Sequence, residues 1–258
     1  MRPYLCLLAA LAAVFPALAQ NPPAAAPAIA PNAAGVFFLH IHLYVRNVEA
    51  QRAFWTALAG GPQGGRGVRI GTTTVSITQG EPKGGNAGTA IENVTFRVKD
   101  LKETLAKLEA AGGSRIGGGT TSAFVLAPEG VKLELVEDRG LAGPPAYDHV
   151  QLNLKSTAEA LQWHQRVLGA APAPGGWTIP GTIVKVTEGK AAPTSKGTSL
   201  DHIAFDVGDL AAFLKRLDAM QVAYEPITKI GNGVRGYVYI MDPGGVYMEL
   251  MGSLPAAQ

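Results

Sequence analysis

An α+β fold assembled from repeated strand-helix-strand units is what this sequence predicts, and three observations carry the prediction. Residues 39–61 (LHIHLYVRNVEAQRAFWTALAGG) align with 148–170 (DHVQLNLKSTAEALQWHQRVLGA), and 91–113 align with 200–222, at one common offset of 109 residues. A further match, 128–138 with 243–253, runs at an offset of 115 and places a six-residue length difference in the loop around 231–235. Within each copy, short β-branched and aromatic runs alternate with polar residues, and each is followed at once by residues that start helices. Two segments sharing one offset mean duplication, and the internal repeat within each half makes the units four.

Taken in order, the opening strands of the units fall at His40–Val45, Asn93–Val98, Val150–Leu154 and Ile203–Val207. Asn47, Asp100 and Asp209 are N-cap residues by type and place, and Ser156 with Glu159 three residues on forms a capping box. Leu101, Leu105 and Leu108 stripe one helix face at the spacing of a buried helix. Shorter strands follow the helices at Thr74–Thr78, Ile183–Thr187 and Val234–Met241. Asp242-Pro243-Gly244-Gly245 then turns the chain into a last strand, Val246–Met251. The units pair in sequence order into two domains, 36–140 and 145–252, with GLAGPP (140–145) as the hinge.

The chain has 258 residues, 47% of them hydrophobic and 16% charged, which suits a globular protein with a substantial core. Lys and Arg number 22 against 20 Asp and Glu, and no basic cluster is interleaved with aromatics, so a nucleic-acid footprint is missing and small molecules are the expected partners. MRPYLCLLAALAAVFPALAQ carries one positive charge, an apolar run and small residues before Gln20. That is the pattern of a secretory signal peptide (1–19) cut near Ala19, and its apolar run is shorter than a spanning helix needs. The mature protein is expected in the periplasm or outside the cell, with no membrane attachment after cleavage. Cys6 is the only cysteine and lies within this leader, so the mature chain can form neither disulfides nor thiolate ligands. The Pro/Ala-rich stretch 20–35 has little to bury and reads as a linker.

The fourfold β-α-β-β-β arrangement, together with DHIAFDV (201–207) and DPGGVYMEL (242–250), resembles the vicinal oxygen chelate superfamily. That superfamily includes glyoxalase I, the fosfomycin- and bleomycin-resistance proteins and the extradiol dioxygenases. The resemblance covers nearly the whole mature chain and implies two tandem domains built as half-open β-cups. It further implies a divalent metal in the C-terminal domain, held by His149, His202 and Glu249. Two imidazoles and a carboxylate leave open positions for substrate and suit Fe(II), Mn(II) or Zn(II) without distinguishing among them. The matching positions of the first copy are His40, Asn93 and Glu134, in which an amide replaces one imidazole, so the first domain reads as a degenerate site. His42 shares a strand face with His40 and is placed to substitute for it or supplement it.

On the same resemblance, glyoxalases add a fourth ligand, a Glu, where alternation here places Lys185; an ammonium does not ligate. VYIMDPGGVYME (238–249) fits most of the extradiol dioxygenase signature, yet Asn232 stands where that signature opens with a histidine. Residues 170–201 lack the second acid/base histidine of that class as well. Dioxygenase-like and lyase- or isomerase-like reactions therefore both stay open, with Lewis-acid stabilisation of an oxyanion as the shared chemistry. Alternation places Gln151 and Asn153 beside His149, and Arg235, Tyr237 and Tyr239 on one face. Lys185 and Arg235 are candidates to hold a substrate oxyanion, with Gln151, Asn153 and Tyr237 as further substrate contacts and Tyr239 as a catalytic hydrogen-bond donor. His164, in mid-helix, reads as a packing residue. The rival reading is a metal-free protein of the bleomycin-resistance type that sequesters a small molecule and keeps its histidines for structure.

Overall fold

The computed structural model describes residues 29–61 and 67–255. The expected signal peptide (1–19) and residues 20–28 of the expected linker lie outside the described residues. Four units follow one another in the expected order, the first with two strands after its helix among the described residues where the pattern predicts three. The first is β1 (Phe37–Val45), α1 (Val48–Ala59), β2 (Gly67–Ile70) and β3 (Thr73–Gln79). The second is β4 (Ile91–Val98), α2 (Leu101–Ala110), β5 (Ser114–Gly118), β6 (Ser122–Leu126) and β7 (Lys132–Glu137). The third is β8 (Ala146–Leu154), α3 (Thr157–Leu168), β9 (Ala171–Ala173), β10 (Gly176–Ile179) and β11 (Thr182–Glu188). The fourth is β12 (Leu200–Asp209), α4 (Leu210–Ala219), β13 (Thr228–Ile230), β14 (Arg235–Met241) and β15 (Tyr247–Ser253).

The helix starts form for the reasons their sequences give. Asn47, Asp100, Ser156 and Asp209 each accept a backbone N–H three residues on, which satisfies a donor that the first helical turn leaves free. Leu101, Leu105 and Leu108 are buried, as their spacing requires. α3 ends at Gly169, whose φ of 67° is the left-handed conformation that glycine adopts without a Cβ clash. Asn32 completes this terminus: its Nδ2 donates to the carbonyls of Leu168 and Gly169, while its Oδ1 accepts from the amides of Ala34 and Val36. The described end of the linker, 29–35, is therefore docked on the third unit, because a helix terminus offers carbonyls that an amide can satisfy.

How the units pair departs from the expected division. One seven-stranded sheet runs β13-β14-β15-β12-β1-β3-β2, and one eight-stranded sheet runs β5-β6-β7-β4-β8-β11-β10-β9. The first unit thus shares a sheet with the fourth, and the second with the third. The seams are antiparallel pairings of opening strands, β1 with β12 and β4 with β8. Because β7 and β8 lie in the same sheet on either side of 140–145, that segment is a connection within one sheet and not a boundary between domains. The helices pack on one face of each sheet, α1 and α4 on the first, α2 and α3 on the second. They bury Ile41, Leu43, Ile203 and Phe205 at one seam and Val94, Phe96, Val150 and Leu152 at the other. Phe38 and Tyr147 stack at 5.4 Å and join the two sheets. The opposite, helix-free faces carry the polar residues.

Candidate metal centre

Strand alternation and register bring four ligand atoms together on the open face of the seven-stranded sheet. On β1, Ile41 and Leu43 point into the core, so His40 and His42 point the other way. Across the seam His42 faces His202, and His40 faces Ala204. Ala204 is in register with Glu249 on β15, which is in register with Tyr239 on β14. With only the small side chain of Ala204 between them in the sheet, His40 and Glu249 approach each other across it. The donor atoms of His40, His42, His202 and Glu249 lie within 4.8 Å of one another. His202 Nε2 is 3.0 Å from Glu249 Oε2, His40 Nε2 is 3.9 Å and His42 Nδ1 is 4.0 Å from the same oxygen.

The ring orientations follow from the outer partners. His42 Nε2 lies 2.8 Å from Thr78 Oγ1, which leaves Nδ1 facing the cluster. His202 Nδ1 lies 2.6 Å from Asp201 Oδ1, which turns Nε2 inward and fixes the ring by a carboxylate, an arrangement common behind metal-bound histidines. Burial pushes the His40 pKa down to about 4, against the pull of Glu249 and with the repulsion of His202. Burial, reinforced by His202 and His40, takes His42 to about 2. For His202 burial also works against the charged ring, but hydrogen bonds to Asp201 and Glu249 outweigh it and raise the pKa. Glu249 is 3% exposed, and its Oε1 is buried without a hydrogen-bond partner. The three imidazoles face the sister oxygen Oε2, and a buried carboxylate with its other oxygen orphaned is costly unless a cation completes it. Bonds of roughly 2.0–2.2 Å from nitrogen and carboxylate place donors at spacings such as these, and the donor set suits Zn(II), Fe(II) or Mn(II).

Beside the cluster lies a cavity of about 350 Å³, walled by Tyr44, Tyr237, Tyr239 and Tyr247 and by Lys196. Tyr239 and Tyr247 stack at 4.8 Å, and Lys196 sits over the Tyr247 ring with its ammonium on Glu225. Burial raises the pKa of both Tyr239 and Tyr247, helped by Glu249 for the first and Glu225 for the second, so both remain O–H donors. A larger cleft, about 590 Å³, lies outside the sheets between α3 and the Pro243–Gly245 turn, and none of the four ligands lines it.

Three expected residues share this site: His202, Glu249 and Tyr239; Tyr237 lines the same cavity. His149, expected as the third ligand, stands in the other sheet, because β8 pairs with β4 and not with β12. There His149 Nε2 is 3.2 Å from Thr95 Oγ1, which is 3.1 Å from Glu134, so a hydroxyl fills the space that Ala204 leaves open in the first sheet. Lys185, Gln151 and Asn153 belong to that second sheet as well. Arg235 is on β14 and pairs with Asp206 at 2.7 Å, away from the four ligands. His164 is buried, 3.0 Å from Asp242 and against Trp177. The expected degenerate site of the first copy is thus split as well: His40 joins the cluster with His42, while Asn93 and Glu134 lie in the second sheet. The signals for the missed residues were present, as HIH on one strand face and as an Asp directly before His202.

Residues 146–250 match the family model described as Glyoxalase/Bleomycin resistance protein/Dioxygenase superfamily. No curated protein matches the sequence. Among solved structures, a point mutant of glyoxalase I from Zea mays is 15% identical, with a TM-score of 0.63 over 84% of this chain and 94% of that one. Glyoxalase I from Zea mays itself gives 16% and 0.62 over 84% and 92%. A provisionally assigned dioxygenase from Bacillus subtilis gives 15% and 0.55 over 85% and 86%. Residues 146–250 are thus similar to that superfamily, and the described chain shares the two-sheet fold of these solved structures.

Proposed function

We propose that this chain is an exported, metal-dependent enzyme that binds one divalent cation through His40, His42, His202 and Glu249 and acts on a small substrate with adjacent oxygen atoms. The observation that carries the reading is the convergence of three imidazoles on a buried carboxylate with one oxygen unpartnered. When bound, the cation supplies Lewis acidity toward a substrate oxyanion. The protein's own contribution is positional. Asp201 holds the His202 ring, and Thr78 holds the His42 ring. Tyr239, in register with Glu249, offers an O–H that stays protonated and can donate to a developing negative charge. The stacked tyrosines exclude water from one side of the cavity, and Lys196 sets a positive charge at its wall.

Metal quantification by mass spectrometry on protein recovered from its native compartment tests this. A stoichiometric divalent ion in the wild type that is lost in His202→Ala supports the assignment. A metal-free wild type with unchanged small-molecule binding in His202→Ala supports a sequestering protein in its place. Export has its own readout: the mature protein should begin at Gln20 by N-terminal sequencing.

A further inference from the structure

The second sheet repeats the geometry of the first with different side chains. Where His42 faces His202 and Ser76, Gln151 faces Asn93 and Lys185. Where His40 faces Ala204, His149 faces Thr95. The substitutions remove two imidazoles, fill the central gap and add an ammonium, so the same framework is turned from a cation site toward an anion.

We propose that the open face of the eight-stranded sheet binds a small carboxylate with an apolar body, the carboxylate on Lys185 and Gln151 and the body on Ile183 and His149. Ile183 is 41% exposed on this face, two residues before Lys185 and in register with His149. An aliphatic side chain and a cation spaced by two strand residues, about 7 Å, match the length of a benzoate-sized acid. The Lys185 side chain forms no hydrogen bond or ion pair among the described residues. Its charge reaches His149, where, after burial and against the hydrogen bond to Asp148, it lowers the pKa of the ring. Nearby acids are already engaged. Glu92 pairs with Lys132, and Asp148 with Arg97 and His149. Glu134 stands three strands away on β7, about 14 Å at the usual strand spacing, and accepts from Thr95. The Gln151 amide, whose Nε2 donates to Thr187, lies beside Lys185 in the sheet. Asn93 and His149 are 2% and 5% exposed, which gives the site a dry polar floor.

The test is calorimetric titration of the full mature chain with benzoate, with neutral benzamide as the control, both as isolated and after chelator treatment. Saturable benzoate binding is expected in both preparations, at least tenfold weaker in Lys185→Gln, retained in Lys185→Arg and unchanged in His202→Ala, while benzamide does not bind. Absence of saturable benzoate binding, or equal affinity in Lys185→Gln, overturns the proposal. So does loss confined to His202→Ala, which would put the acid in the other sheet. Because chelator-treated protein is used, failure of the metal assignment leaves this result readable.

Discussion

At His202 two carboxylates hold one ring, Asp201 at Nδ1 and Glu249 at Nε2, and a cation must displace the proton from Nε2. The raised pKa of His202 therefore makes the proposed metal binding proton-coupled. Below the ring's pKa the proton competes; above it the nitrogen is free. His40 and His42, already neutral above about pH 4 and about pH 2, do not compete. Zn(II) affinity measured by calorimetry should be at least tenfold weaker at about pH 5.5 than at about pH 8, with about one proton released on binding near neutral pH. Removing the orienting carboxylate in Asp201→Ala should weaken metal binding by roughly 10- to 100-fold without unfolding the chain, as read by the same titration and by circular dichroism. His149→Ala, although it removes a residue that the sequence singles out, should leave metal content unchanged.

The elements that aim these side chains are set mostly by local chemistry. The last strand is launched by the Asp242–Gly245 turn, in which Asp242 accepts from Gly244, Val246 and the buried ring of His164 on α3. That ties the third unit to the strand that bears Glu249. Asp242→Ala should cost on the order of 3 kcal/mol in urea unfolding, since several hydrogen bonds to one buried carboxylate are lost together. Glu188, at the end of β11, accepts from the Thr157 amide in the first turn of α3. Its role is to cap the helix, which the strand pattern alone does not reveal. Cap residues, turns and the leucine stripe were legible because each is decided within a few residues of chain.

Across the whole molecule, both sheets are sewn across the midpoint of the sequence. β1 pairs with β12 and β4 with β8, so each half of the chain contributes strands to each sheet. His40 and His42 come from the first half and His202 and Glu249 from the second. A protease site placed in the connection at 140–145 and cleaved in the folded protein should therefore leave two fragments that co-elute in gel filtration and keep their metal. Fragments that separate under native conditions would contradict the observed pairing.

By itself the sequence determined the units: their strands, helix starts and turns, and the histidines and glutamate that face away from the core. His202 and Glu249 were singled out through the family resemblance and Tyr239 through strand alternation, and the three fall together at the candidate site. Which units share a sheet was decided only in the tertiary structure. Four similar units present similar strand edges, and backbone hydrogen bonds between opening strands carry no label for sequence order, so the same local pattern is compatible with pairing first to second or first to fourth. The choice that the chain makes moves His149 and Lys185 to one sheet and brings His40 and His42 to the other. It is a property of long-range packing, in which the side chain at one position, alanine at 204 and threonine at 95, also decides whether a gap for a cation is left or filled.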